Sequence, residues 1–165
     1  MQEFEQLYSD YNKDIYRFLL KISGYDFTLA EELTQETFYQ AFISMAKFQG
    51  RCQIKTWLCQ IAKNIYYQHL RKKKREHITV ENENETITSL ESKVENAELI
   101  QNALAIINSF DDRTRDVMLY RFYSDLPYSQ ISLLLGISEG STKVVFFRGK
   151  ALLQTKLRED FGYEI

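Results

Sequence analysis

Gln60, Lys63, Asn64, Tyr67, Arg71 and Lys74 fall at offsets of 0, 3, 4, 7, 11 and 14 residues, the spacing that lines side chains along one side of an α-helix. Polar, cationic and aromatic groups in one stripe suit an unpaired polyanion strand: cations follow the phosphates while rings stack on the bases. Phe48, Trp57, Tyr66 and Tyr67 supply rings, and Lys63, Arg71 and Lys74 supply charge. Trp57 also sits at a core spacing, so either role fits it. A second group, Ser141, Thr142, Lys143, Phe146, Phe147, Arg148 and Lys150, follows the turn Gly136-Ile137-Ser138. A small residue, Ser132, then Gly136 four later, then a basic helix, is helix-turn-helix spacing, and the second helix of that motif lies in a DNA major groove. Other αα-hairpins share the spacing. Of Val145, Phe146 and Phe147, one of each neighbouring pair must face the core.

The charge is unevenly distributed. The formal net charge of −2 hides nine Lys or Arg and no acid between Thr37 and Arg75, then seven Glu and one Lys between Glu76 and Glu98. From Leu99 to Ile165 the two signs balance at eight each. A basic block followed by an acidic one points to a polyanionic partner for the basic part.

Catalytic chemistry finds little support. There is no Ser-His-Asp arrangement in a plausible context, no Gly-rich phosphate loop and no HExxH motif. Glu31, Glu32 and Glu36 share a helix but have no metal ligand near them, so capping and partner docking explain them better. Cys59, His69 and His77 match no common ligand spacing, and neither a metal nor a cofactor is expected. Cys52 and Cys59, if on one helix, stand about 10 Å apart, too far to bridge. They read as free thiols of a reducing cytosol. No apolar run reaches the roughly 18 residues of a membrane span, and the acidic start, Met1 to Glu5, does not resemble a signal peptide. The expected location is the cytoplasm, without direct membrane insertion.

Helices must position these groups. One Pro and six Gly leave little turn chemistry for many short strands. Phe4, Leu7, Tyr8, Tyr11, Ile15, Phe18, Leu19 and Ile22 mark a first amphipathic helix, ended by Gly24. Thr28-Leu29-Ala30-Glu31 reads as a capping box opening a second, with Leu29, Leu33, Phe38, Ala41, Phe42 and Met45 inward and Glu32, Gln35 and Glu36 outward. After a loop around Phe48-Gln49-Gly50-Arg51, a third helix starts near Gln53 and buries Ile54, Trp57, Leu58, Ile61, Ala62 and Ile65. Residues 77–93 lack a period and read as a flexible acidic linker. Periodicity resumes with Val94, Ala97, Ile100, Leu104 and Ile107, and Asp111 or Asp112 caps a helix containing Val117, Met118 and Phe122. Pro127 suits the first turn of the next helix, and Ser138 caps the last.

Three segments carry a family resemblance. Ala30-Glu31-Glu32-Leu33-Thr34-Gln35-Glu36-Thr37-Phe38 resembles the core-polymerase-binding segment of group IV (extracytoplasmic-function, ECF) sigma factors of the sigma-70 family. Thr56-Trp57-Leu58-Cys59-Gln60-Ile61-Ala62-Lys63-Asn64 with Arg71-Lys72-Lys73-Lys74-Arg75 resembles the family's promoter-melting helix. Asp125 to Ile131 and Leu135 to Ser141 are similar to its C-terminal helix-turn-helix. The resemblance covers nearly the whole chain, in order, apart from the linker. It implies an all-α protein of two small helical domains: sigma region 2 over 1–76, an acidic linker over 77–93 and sigma region 4 over 94–165, with no autoinhibitory region before region 2.

The resemblance also implies an alternative sigma factor, not an enzyme. Its partners would be core RNA polymerase (the β′ clamp helices and the β flap), promoter DNA and an anti-sigma factor, membrane-anchored or free. Glu32, Gln35, Glu36 and Phe38 would bind the polymerase. Phe48, Arg51, Gln60, Lys63, Asn64, Tyr67, Arg71 and Lys74 would read and open the minus-ten element. Ser141, Thr142, Lys143, Phe147, Arg148 and Lys150 would read the minus-thirty-five element. Glu32 stands where the family usually has Asp, Thr142 replaces a frequent Val, and Val145 and Phe147 replace positions often Arg and His. Fewer polar contacts remain, which gives DNA shape more weight. A helix-turn-helix repressor or activator with an N-terminal partner domain would explain 126–158 but not the basic third helix. A protein-binding helical adaptor would leave the acid-free block unexplained.

Overall fold

The computed structural model describes residues 2–79 and 94–164, and among these every regular element is helical. The α-helices are α1 (Gln2–Ile22), α2 (Phe27–Ser44), α3 (Ile54–Thr79), α4 (Val94–Ser109), α5 (Asp112–Ser124), α6 (Tyr128–Leu135) and α7 (Glu139–Phe161). A short 3₁₀ turn, Met45–Lys47, follows α2.

The first three helices form one layered unit. α1 buries Leu7, Ile15, Phe18, Leu19 and Ile22 along one stripe. Glu3 and Glu5 in its first turn and Lys21 in its last complement the helix dipole. α2 begins earlier than its sequence suggests. The cap is Asp26, whose carboxylate accepts from Leu29 N at 3.1 Å, so Thr28 lies within the first turn and the expected capping box is not the device used. Leu33, Phe38 and Ala41 face the core as expected, but Phe42 is exposed and lies edge-on to Phe4, ring centroids 5.1 Å apart. α3 adds Leu58, Ala62 and Ile65 to the core, with Ile54, Trp57 and Ile61 half-buried. It continues to Thr79, so the first three residues of the expected linker are helical. The rest of the expected tether lies outside the described residues.

In the second unit, Asp111 caps α5 by accepting from the Thr114 backbone N–H and hydroxyl. α6 follows Pro127 and ends at Gly136, whose φ of 65° is a left-handed turn that glycine adopts without steric cost. Ser138 Oγ then accepts from Ser141 N at 3.0 Å and opens α7. α7 crosses close to α5 at Gly149, where a Cβ would sit 2.8 Å from the Met118 sulfur. Only glycine permits that approach unaltered.

The two units pack against each other. Phe18 of α1 stacks on Tyr120 of α5, centroids 6.4 Å apart, and both rings are fully buried. Gln130 Oε1 of α6 accepts from Gln53 N at 2.9 Å and from the Thr56 hydroxyl at 3.0 Å, which ties α6 to the start of α3.

Candidate nucleic-acid interface

The cationic stripe of α3 divides along its length. At its start, Phe48 leans on Trp57 with ring centroids 4.8 Å apart. With Lys47, Gln49, Arg51, Cys52 and Gln60 these rings line an open cleft of about 350 Å³ whose far wall is Leu133 and Leu134 of α6. Gly50, at φ 69°, allows the loop to turn there. Aromatic walls with Arg51 exposed at the rim suit a base and its phosphate.

The middle of the stripe is occupied by the second unit. Lys63 Nζ meets Asp116 Oδ2 at 2.9 Å, with each side chain only 11% exposed. Arg115 lies 4.1 Å over the Tyr67 ring and pairs with the same Asp116 carboxylate at 3.0 Å. The Tyr67 hydroxyl donates to Asn108 Oδ1 at 2.6 Å. Burial raises the Tyr67 hydroxyl's pKa, the Arg115 charge opposing the shift. Burial likewise pushes the neighbouring Cys59 thiol up to about 12, with Lys55 and the Ser124 hydroxyl acting against it. Lys63 and Tyr67 are therefore engaged by protein in this arrangement. Asn64, Arg71 and Lys74 are exposed, but Lys74 lies fourteen positions from Gln60, about 21 Å along the axis. The structure thus brings Phe48, Arg51, Gln60 and Trp57 together and sets the other members apart.

On α2, Glu32, Gln35 and Glu36 are exposed, as expected. Phe38 is buried against the edge of Tyr8, centroids 4.9 Å apart, so its place is in the core and its side chain is not part of a docking surface. The outward face instead continues through Tyr39, Phe42 and Ile43, all exposed. Their offsets of 7, 10 and 11 from Glu32 keep them on one side of the helix. That signal was available in the spacing, although the apolar type of Phe42 pointed it inward.

Along α7, Ser141, Lys143, Phe147, Arg148 and Lys150 are exposed. Thr142 is fully buried and its hydroxyl donates to Ser138 O at 2.9 Å, which removes it from any DNA-facing set. Phe146 packs inward among Phe122 and Tyr128, with centroids at 5.1 and 5.8 Å. Val144, not singled out by its sequence position, is exposed between Lys143 and Val145.

Comparison with known proteins identifies the family. Residues 7–76 match the family model described as Sigma-70 region 2, and residues 100–153 match Sigma-70, region 4. The chain is 31% identical over 155 residues to the ECF RNA polymerase sigma factor SigM of Bacillus subtilis, covering 91% of this chain and 92% of that protein. The chain belongs to the ECF RNA polymerase sigma factors. Such a chain is an alternative sigma factor that directs promoter-specific transcription initiation. The fold is similar to that of two solved sigma factors. One is RpoE bound to the anti-sigma factor NepR of Bartonella quintana (TM-score 0.64, 22% identity, 96% and 98% of the two chains). The other is CnrH with the cytosolic domain of CnrY (TM-score 0.67, 17% identity, 96% and 90%). Among the described residues no helix is long and apolar enough to cross a membrane, and no acidic, His or Cys group is arranged to hold a metal.

Proposed function

We propose that this sigma factor meets its promoter at two places that the closed chain does not offer equally. The α2 face of Glu32, Gln35, Glu36, Tyr39, Phe42 and Ile43 docks on the β′ clamp helices of core RNA polymerase, and the C-terminal unit engages the β flap. The cleft of Phe48, Arg51, Trp57 and Gln60 receives the minus-ten strand. Asn64, Arg71 and Lys74 hold its backbone, and Lys63 and Tyr67 join them once α5 has moved away. α7 reads the minus-thirty-five element through its outward face. Bond-making stays with the polymerase; this chain binds and opens DNA in the cytoplasm. By likeness to the relatives seen in complexes, an anti-sigma protein is its further partner, anchored to a membrane or not.

The observation that supports this reading is the pairing, in one chain, of a helix free of acids from Ile54 to Arg75 beside an aromatic cleft with a capped helix-turn-helix whose outer face is uncovered. Transcription reconstituted from core polymerase, the full chain and a promoter library tests it. Specific transcripts that require the chain, with permanganate-reactive thymines near minus ten, are the expected result. Tight operator binding by the chain alone, without transcripts, would replace this reading with a repressor. For the docking face, Gln35→Ala with Glu36→Lys should abolish polymerase association while leaving helicity unchanged.

A further inference from the structure

The fold uses one side of α7. Thr142, Phe146, Gly149, Leu153 and Leu157 face inward. Val144 and Phe147 stand outside that side, 47% and 59% exposed, and Phe147 meets the fold edge-on at Phe146 with centroids 5.6 Å apart. Leu152 and Phe161 are exposed farther along α7, but Val144 and Phe147 lie in its first half, directly after the turn of the helix-turn-helix, and call for a reason.

Their surroundings indicate the kind of surface that covers them. From Gly140 to Arg158 the helix has five Lys or Arg and no acid. Arg148 is exposed beside Phe147, and Gly140 and Ser141 keep the helix start narrow. The central part of a protein interface is usually depleted of charge, whereas a cation-framed strip complements a nucleic acid. A duplex major groove presents one apolar group to such a strip, the C5 methyl of thymine. Val144 and Phe147 are three residues apart, about 4.5 Å along the axis, close to the spacing of neighbouring base pairs at roughly 3.4 Å.

We propose that Val144 and Phe147 read thymine methyl groups in the upstream promoter element, with Arg148 holding an adjacent phosphate. The proposal rests on α7 being the minus-thirty-five reader. It makes the upstream preference one for thymines at neighbouring steps, selected by apolar contact where polar side chains are lacking.

The test uses holoenzyme formed from the full chain and core RNA polymerase. A promoter is selected from randomised duplexes, and each upstream thymine is replaced by deoxyuridine, which keeps base pairing and removes only the methyl. Each methyl that is read should contribute about threefold to fivefold in holoenzyme affinity. Val144→Ser and Phe147→Ser should show the same loss on thymine and no further loss on deoxyuridine. Equal binding of thymine and deoxyuridine promoters by the unaltered holoenzyme, while a scrambled upstream element still loses binding, overturns the methyl contact and leaves the reading of α7 standing. Indifference to scrambling overturns both. Variants that keep the unaltered chain's deoxyuridine sensitivity but lose polymerase or anti-sigma binding would make the strip a protein-docking surface and also overturn the proposal. The deoxyuridine comparison needs no variant, so a misfolded one does not obscure the outcome.

Discussion

Helix α3 meets the second unit along the very side that carries Lys63 and Tyr67, whereas α7 makes its contacts opposite Val144 and Arg148. Both helices are long and cationic. The difference is that the groups on α3 are the right length and chemistry to bond to protein: an ammonium for Asp116, a phenol for Asn108 and a ring for Arg115. The carboxylate of Asp116 takes the place on Lys63 that the proposed function gives to a DNA phosphate. A cationic face can thus be covered by an anionic side chain of the same protein, while the apolar pair framed by cations has no such cover among the described residues.

The largest effect separates the two sides of α7. Phe146→Ala should cost about 3–5 kcal/mol of stability by leaving a cavity, whereas Phe147→Ala should stay within about 0.5 kcal/mol. Urea unfolding of both variants checks this, and equal losses would mean that α7 has no outer face. The next concerns the cover on α3. Asp116→Ala strands a nearly buried ammonium, and removing one partner of such a pair costs about 3 kcal/mol or more. The units should then part, the radius of gyration by small-angle scattering should rise, and non-specific DNA binding by the free chain should tighten about tenfold, equivalent to 1.4 kcal/mol. Lys63→Met with Asp116→Leu should restore packing, since apolar replacements of buried pairs are often neutral. An unchanged radius for Asp116→Ala would break the comparison on the α3 side.

A pH dependence follows from the same burial. Cys59 is raised from 9.0 to about 12, chiefly by burial. Its thiol ionises in the unfolded chain before it does in the folded one, so this contribution to stability is complete below about pH 9 and is lost as pH rises towards about 12. Tyr66 and Tyr123, raised from 10.0 to about 12 by burial, act in the same direction at higher pH. Urea midpoints from pH 8 to 11 should fall, less steeply in Cys59→Ala, and a parallel fall would remove Cys59 from the account. The smallest effect belongs to Lys143. Its contact with Glu139 is 3.9 Å long and half exposed, so Lys143→Ala should change stability by less than about 0.5 kcal/mol. If Lys143 reaches a phosphate, the slope of log affinity against log salt should lessen by about one. An unchanged slope would sharpen the apolar role of that face.

The helices themselves were legible because their inward stripes repeat at 3.6 residues, and Gly136 and Ser138 announced the turn by their own chemistry. Periodicity names a face but not what lies against it. Nothing local in Tyr67 or Lys63 could reveal that Asn108 and Asp116, forty-one and fifty-three residues away, complete them. Phe42 misled for the converse reason: an aromatic residue counts as inward until a face is shown to be uncovered. Thr142 had the right polarity for DNA, but its place one turn before Phe146 puts it on the buried side. Asp26 and Thr28 are both good caps by type, and the choice was made by where Leu29 N points.

Asp116, Val117, Met118, Leu119 and Tyr120 are buried in succession, so α5 has no side turned to water over more than a full turn. A helix enclosed all round is ordinary inside a large protein and unusual in one of 165 residues. Separation of the units would wet the stacked Phe18 and Tyr120 together, and aromatic side chains each bury roughly 150–250 Å². The opened chain would then carry a sticky aromatic patch. Its solubility becomes a matter of dosage: an excess over the proteins able to cover that patch should self-associate, visible as light scattering that grows with concentration in Asp116→Ala and stays flat in the unaltered chain.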